Sequence, residues 1–233
     1  MNNSTIQIKI KQRLNKLDSN DYDNIETWQI AEAFNKAAVE WSRRQLHGGN
    51  IYKEGDEYSK RRIDDMQVLL EELPLTGVQS TEYFETTNFP IDNYLEFKRV
   101  GAYFKNECCP KRQAKIYLSE EANVELVLRD PLKRPDFEWA ETFCTILGNK
   151  IRIYTKDFTV VDPVLTYYRR PIYIQFTGVL DPYTGLISLV DVESEFKDDI
   201  VELILDETAA IMSGDIDNYT QMQTAQQAAE RSN

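Results

Sequence analysis

The chain offers one histidine, His47, and three cysteines, Cys108, Cys109 and Cys144. Any Ser-His-Asp or Cys-His arrangement has to run through His47. That residue follows Arg43 and Arg44 and precedes Gly48-Gly49, the setting of a helix C-terminus where positive charge complements the dipole. No acid or cysteine accompanies it at ligand spacing, so it reads as a capping residue. Vicinal Cys108-Cys109 does not suit an unstrained disulfide, and the three cysteines are expected to be reduced and structural. Adjacent carboxylates recur at Asp64-Asp65, Glu71-Glu72 and Asp198-Asp199. Neighbours on a helix point about 100° apart, so such pairs do not converge on one proton. Asp191, Glu193 and Glu195 alternate as in a calcium loop but lack its Gly and terminal Glu. No G-x-G-x-x-G, P-loop, G-x-S-x-G or H-E-x-x-H occurs. The expectation is no catalytic residue, no metal, no cofactor and no enzymatic activity.

Binding chemistry is better represented. Arg169 and Arg170 stand beside Tyr167, Tyr168 and Pro171, and Tyr with Arg is the composition of protein interfaces. Tyr219 and Met222, at i and i+3, are the large apolar side chains of a Gln- and Ala-rich tail and make a second candidate anchor. Lys60-Arg61-Arg62 has no interleaved aromatics and reads as a helix face. The formal charge is −12. From Asp191 onward there are eleven acids and two bases, so −9 of it lies in that segment. A surface that grips DNA neutralises phosphates and is basic, which this chain is not.

The elements that must position these residues are legible from periodicity. Ile6, Ile10, Leu14 and Leu17 step by four, four and three, which predicts a helix from Ile6 to about Leu17 capped by Ser4. Asp23-x-x-Glu26 has capping-box spacing and opens a helix from Asn24 to Leu46, with Trp28, Ala31, Phe34, Ala38 and Trp41 as its stripe. A third helix is predicted from Ser59 to Leu73, stopped by Pro74 and Gly77. Strands are predicted at Thr81–Thr87, Tyr94–Phe104, Ala114–Leu118, Val124–Leu128 and Phe143–Ile146, separated by turn signals. Further strands follow at Ile151–Tyr154, Phe158–Val161, Val164–Tyr168 and Ile172–Phe176, the middle pair broken by Asp162-Pro163. After the turn Asp181-Pro182-Tyr183-Thr184-Gly185, an acidic helix capped by Asp191 or Ser194 carries Phe196, Ile200, Leu203, Ile204 and Ile211, and Gly214 ends it.

The fold class is therefore α+β. Residues 1–77 form an N-terminal helical region, 78–190 a β-rich antiparallel region, 191–214 a C-terminal amphipathic helix and 215–233 an extended tail. The tail has too few apolar positions to hold a helix against its own domain, and is expected to order only on a partner surface. No basic leader precedes the first helix, and no apolar run nears the roughly 18 residues of a membrane span.

Two phrases carry a family resemblance. Trp28-Gln29-Ile30-Ala31-Glu32-Ala33-Phe34-Asn35-Lys36 lies in the N-terminal helices. Leu165-Thr166-Tyr167-Tyr168-Arg169-Arg170-Pro171 precedes the last long helix, Glu193 to Gly214, and its sequel Asp215. In this order the chain resembles the head-to-tail adaptor, or ring, proteins of short-tailed bacteriophages, especially the crAss-like phages of gut bacteria. The resemblance implies a virion structural protein in a ring of about twelve copies beneath the portal. Its partners there are the portal protein and other tail ring or hub proteins, and viral DNA passes through the ring without sequence-specific binding. The family implies no enzymatic residues. An acidic helix repeated around a ring gives a field that lets DNA slide, which is the physical expectation for such a conduit. The readings from other classes are a cytosolic protein-binding module and a small enzyme of unknown reaction using dispersed carboxylates.

Overall fold

The computed structural model describes residues 1–14, 25–47, 65–107 and 109–215. The architecture is α+β, and the chain divides into two compact units. One comprises Met1–Val68 and Pro171–Asn233, the other Leu69–Arg170.

Among its described residues the first unit holds the helices α1 (Asn3–Arg13), α2 (Thr27–His47) and a later one, Asp198–Asp215, with Asp65 and Met66 also helical, while residues 59–64 of the third predicted helix lie outside the described residues. Helix α1 starts earlier than its apolar spacing predicts. Asn2 caps it, its side chain accepting from Thr5 N at 2.8 Å, so Ser4 lies inside the first turn. Leu17 and the capping candidate Asp23 lie outside the described residues. Helix α2 instead begins after Glu26, whose backbone N–H donates to Gln29 Oε1 at 3.0 Å, one half of a capping box. Of its predicted stripe Ala31, Phe34, Ala38 and Trp41 are buried, while Trp28 is half-buried.

The later helix starts at Asp198, not at Asp191 or Ser194. The side chains of Asp191 and Glu195 serve loop backbone instead, accepting from Thr177 N and Ile172 N at 2.9 Å each. Gly214 lies within the last turn. Ile200, Val201, Ile204, Leu205, Ala209 and Met212 are all buried, whereas Leu203 and Ile211 of the predicted stripe are part-buried and Phe196, though buried, precedes the helix. Thr208 and Ser213 share that burial because their hydroxyls donate back to Ile204 O and Ala209 O. Trp41 meets Phe196 edge to face at 5.5 Å.

Ile172–Phe176 is not a strand. Its backbone is held by side chains: Asn35 pairs with both polar groups of Ile174, accepting from N at 2.8 Å and donating to O at 3.3 Å. Asn3 Nδ2 donates to Gln175 O and Val192 O. Only an isolated bridge, Gln175↔Val192, remains of sheet pairing there.

The second unit is a nine-stranded sheet: β1 (Leu70–Pro74), β2 (Gly77–Gln79), β3 (Tyr83–Thr86), β4 (Tyr94–Asn106), β5 (Cys109–Gln113), β6 (Lys115–Leu118), β7 (Glu141–Leu147), β8 (Lys150–Tyr154) and β9 (Thr159–Arg169). The order is β1-β9-β4-β6-β7-β8-β3-β2, with β5 on β4. All pairs are antiparallel except β6–β7, which is parallel, so the sheet is mixed.

Two predictions fail in this unit. The helix expected to run to Leu73 gives way to β1, because Leu70–Pro74 pairs along β9 from Leu70↔Tyr168 to Pro74↔Val164. Pro74 is tolerated there as the last residue of an edge strand. Val124–Leu128, read as a strand, lies in the short helix α3 (Val124–Arg129), which connects the parallel pair β6 and β7. Asp162-Pro163 does not divide two strands but forms a bulge within β9. Between Gly101↔Val164 and Tyr103↔Val161, β4 advances two residues and β9 three, and Asp162 takes φ +48. Gly77 is fixed by close approach, since a Cβ there would meet Glu85 O at 2.1 Å. The core gathers Phe104 on Phe158 at 4.1 Å with Val100, Ile151, Ile153 and Leu165.

Candidate interaction surface

The Tyr-Arg phrase ends β9, between β1 and β4. The sheet divides its members rather than presenting them together. Tyr167 is 2 % exposed, stacks on Tyr94 at 6.0 Å and donates from its hydroxyl to Glu71 Oε2 at 3.1 Å. Burial first, then the Glu71 carboxylate, pushes its phenol up to about 12. Tyr94 also reaches about 12, chiefly through burial. Tyr168, on the opposite face, is half-buried with Lys98 Nζ 5.8 Å from its ring centroid. Arg169 is half-buried, 4.0 Å from Glu71 and donating to Arg170 O, and Arg170 is exposed. Tyr167 is thus a core residue of the sheet, buried in a row with Leu165 and Thr166, and not an exposed interface residue. Tyr219 and Met222 lie outside the described residues, as do Cys108 and the side chains of Cys109 and His47. Cys144 is free and buried, its thiol pushed up to about 12 by desolvation.

The last described helix, α4 (Asp198–Asp215), does not present a bare acidic face. Arg13 reaches both Glu202 Oε2 and Asp206 Oδ1 at 2.6 Å, Lys9 pairs with Glu202, and Arg44 pairs with the buried Glu207. Burial opposes the Arg13 charge, but its bonds to Asp206 and Glu202 prevail and raise its pKa. Burial likewise resists ionisation of Glu202, yet the bonds from Lys9 and Arg13 hold its pKa below the ordinary 4.5. At Glu207 desolvation wins over Arg44 and the carboxyl is raised. The acids that read as a solvated stripe therefore clamp α1 and α2 to α4. The signal that could have found this is the run Lys9, Arg13, at helical spacing on α1.

What the first unit does present is an uncharged arm. From Pro171 to Val190 the only charged residue is Asp181, and it is buried. Its carboxylate accepts from Tyr183 N at 3.1 Å and Thr184 Oγ1 at 2.8 Å, and Gly185 N donates to Asp181 O at 2.9 Å. This builds the expected turn. The bridge Leu180↔Ile187 and the pair Gly178 N→Ser188 O and Ser188 N→Val179 O hold its two limbs together. Beyond the turn Leu186, Ile187, Leu189 and Val190 are exposed. On the same unit a groove of about 350 Å³ runs between α2 and α4, lined by Trp28, Ala33, Ile211 and Met212, with Glu32 and Lys36 as its charged members.

On the second unit, Trp139 and Leu132 are exposed near α3, among mixed charges. Elsewhere on this unit an open polar concavity of about 750 Å³ is lined by Lys105, Lys156, Glu107 and Asp157, so its charges cancel. Among the described residues no group of three or more His, Cys, Asp or Glu is placed to hold a metal ion. No helix among them is long and apolar enough to cross a membrane. Neither the protein-family models nor the curated proteins give a match to this chain.

Proposed function

We propose that the chain is a subunit of a head-to-tail adaptor ring, joining a portal to a tail and continuing a DNA ejection channel. The observation that carries the reading is the order of elements around the two phrases. Trp28–Lys36 lies on α2, Leu165–Arg169 ends the central strand β9, and the last long helix returns to pack on α2. That is the order on which the family resemblance rests. The neutralised acids of α4 do not favour the idea that this helix alone lines a channel. The weak repulsion a conduit needs is supplied by the sequence of the helical unit as a whole, with twenty-three acids against thirteen bases, a net −10. The sheet unit, with sixteen acids and fourteen bases, is close to neutral.

Such subunits meet through two different faces and close by rotation. Residues 215–233, with Tyr219 and Met222 as first anchors, are proposed to engage the portal or an adjacent subunit. The reading is tested by imaging particles that contain the protein. The expected result is a closed ring of about twelve copies between portal and tail, on the family resemblance and the closure logic of heterologous contacts. Density for the chain outside any ring overturns it. Deleting residues 215–233 is expected to leave the melting temperature nearly unchanged and to block attachment to heads.

A further inference from the structure

The arm from Gly178 to Val190 is the least polar feature of an otherwise acidic unit. Leu180, Tyr183, Leu186, Ile187, Leu189 and Val190 are 47–88 % exposed. Together they present on the order of 800 Å² of side-chain surface, about one partner's share of a standard interface. Single exposed apolar residues need no explanation, but a contiguous patch of this size marks a contact surface. The arm is not a floppy loop: its turn is closed around Asp181 and its limbs are cross-bonded, so little ordering is lost when it binds.

Charge limits what can sit on it. With no charged side chain exposed from Pro171 to Val190, the arm offers nothing to a phosphate or an acidic peptide. Two copies of a unit carrying −10 repel over most of their surface, so they can meet only where that charge is missing. The α2–α4 groove is such a place, its one acid, Glu32, balanced by Lys36 and its other walls apolar apart from the uncharged Gln29. A groove of about 350 Å³ is at the lower end of pocket sizes and takes a few aliphatic side chains.

We propose that the arm of one copy seats in the α2–α4 groove of a second copy, with Leu186, Ile187 and Leu189 as the inserted side chains. The contact joins two different patches, so it is heterologous and propagates from copy to copy. The proposal deepens the adaptor reading by assigning the surface through which copies meet, and its test is separate from the location of the protein in particles.

The experiment uses the full chain in sedimentation velocity over about a hundredfold range of concentration, with Leu189→Asp, Ile187→Asp and the milder Leu189→Ser. The wild type is expected to self-associate. Each Asp variant is expected to weaken that association at least about tenfold, roughly what burying an unpaired charge in an apolar contact costs. Melting temperatures should stay unchanged, because these side chains are exposed in the single copy. A photo-crosslinking amino acid at position 189, in a mixture of isotopically light and heavy protein, is expected to join light to heavy chains at peptides containing Trp28 or Met212. A wild type that stays monomeric throughout, or a crosslink confined to one copy, overturns the proposal. Association indifferent to all three variants also overturns it, while leaving the adaptor reading to the particle images.

Discussion

Arg13 Nε donates to Asp206 Oδ1 at 2.6 Å, joining residues 193 positions apart. The same guanidinium reaches Glu202, so one side chain fastens the first helix of the chain to the last described one. Replacing it by an uncharged chain of similar length, Arg13→Met, keeps the packing stem and removes both bonds. The helical unit should lose about 1–2 kcal/mol in denaturant unfolding, since the bonds are charge-assisted but partly exposed. The loss should shrink at high salt. An unchanged midpoint would show that α1 is held without Arg13, by its buried Ile6 and Ile10 and the remaining bonds of Asn3 and Lys9.

The two glutamates of α4 predict opposite pH dependences. Glu202 has a folded pKa below its ordinary 4.5, so its contribution is complete above about pH 4.5 and disappears as pH falls through the folded value. Glu207 has a folded pKa above 4.5, so its contribution is complete below that pH and is lost as pH rises through the folded value. Melting curves recorded across pH should therefore lose part of their acid-side slope in Glu202→Gln. The slope between about pH 4.5 and neutrality should flatten in the opposite sense in Glu207→Gln. Parallel curves for both variants and wild type would contradict the assignment.

Asn35 substitutes for a strand. Its amide satisfies both backbone groups of Ile174 from inside a buried helix face. Asn35→Leu fills similar volume but leaves a buried N–H unpaired, at a cost of about 1–3 kcal/mol. Hydrogen exchange at Ile174 N should speed up more than exchange in the sheet unit. Equal acceleration everywhere would mean the variant acts through packing alone.

For Tyr167 the separation of ring from hydroxyl is the useful experiment. Tyr167→Phe keeps the stack on Tyr94 and should cost only about 0.5–1.5 kcal/mol. Tyr167→Ala should cost about 3–5 kcal/mol in the same assay, as a buried aromatic does. An ultraviolet alkaline titration should lose one phenol of pKa about 12 in the Phe variant. If both variants weaken assembly without affecting unfolding, Tyr167 belongs to an interface after all.

Cys144 lies in the sheet core with its thiol raised to about 12, so the reactive thiolate is scarce at neutral pH. A thiol reagent should label position 144 only after denaturant unfolds the sheet unit. Cys144→Ala should remove about 1–2 kcal/mol of stability and leave assembly intact. Rapid labelling of native protein at this position would refute its burial.

Much of the fold was legible because alternation and helical spacing survive in the sequence where one face is buried. Phe34, Ala38 and Trp41 repeat at helical spacing, and Val164–Tyr168 is a run rich in β-branched and aromatic residues, so both elements could be read directly. The failures share a cause. Leu70-Glu71-Glu72-Leu73 is good helix material, yet β9 offered its backbone a complete ladder and tertiary pairing outweighed local preference. Val124-Glu125-Leu126-Val127-Leu128 is a short apolar, partly β-branched run that reads as a strand, but the connection between parallel strands takes a helix there. Ile172–Phe176 has strand residues whose partners are the amides of Asn3 and Asn35, supplied from distant helices and invisible to any local window. The interaction candidates were legible only as composition. A Tyr next to an Arg says nothing about which of them the pleat turns inward, and the stretch from Pro171 to Val190, whose one charged residue Asp181 is buried, stood out as a surface only once the structure showed Leu186, Ile187, Leu189 and Val190 exposed.

The division of the chain into units also sets a timetable for synthesis. The sheet unit is continuous, and its first and last strands pair at Leu70↔Tyr168, so it can close as soon as Arg170 has emerged. The helical unit is interrupted: α1 and α2 are made first, but the helix that covers them arrives only after the 102 residues from Leu69 to Arg170. Between His47 and Asp198 lie 150 residues, so at roughly 5–20 residues per second the wait is about 8–30 s, during which Phe34, Trp41 and Ile10 have no α4 to bury against. The nascent chain therefore folds inside out, the inserted sheet first and the flanking helices last, and a helper that shelters exposed apolar helices has its window there.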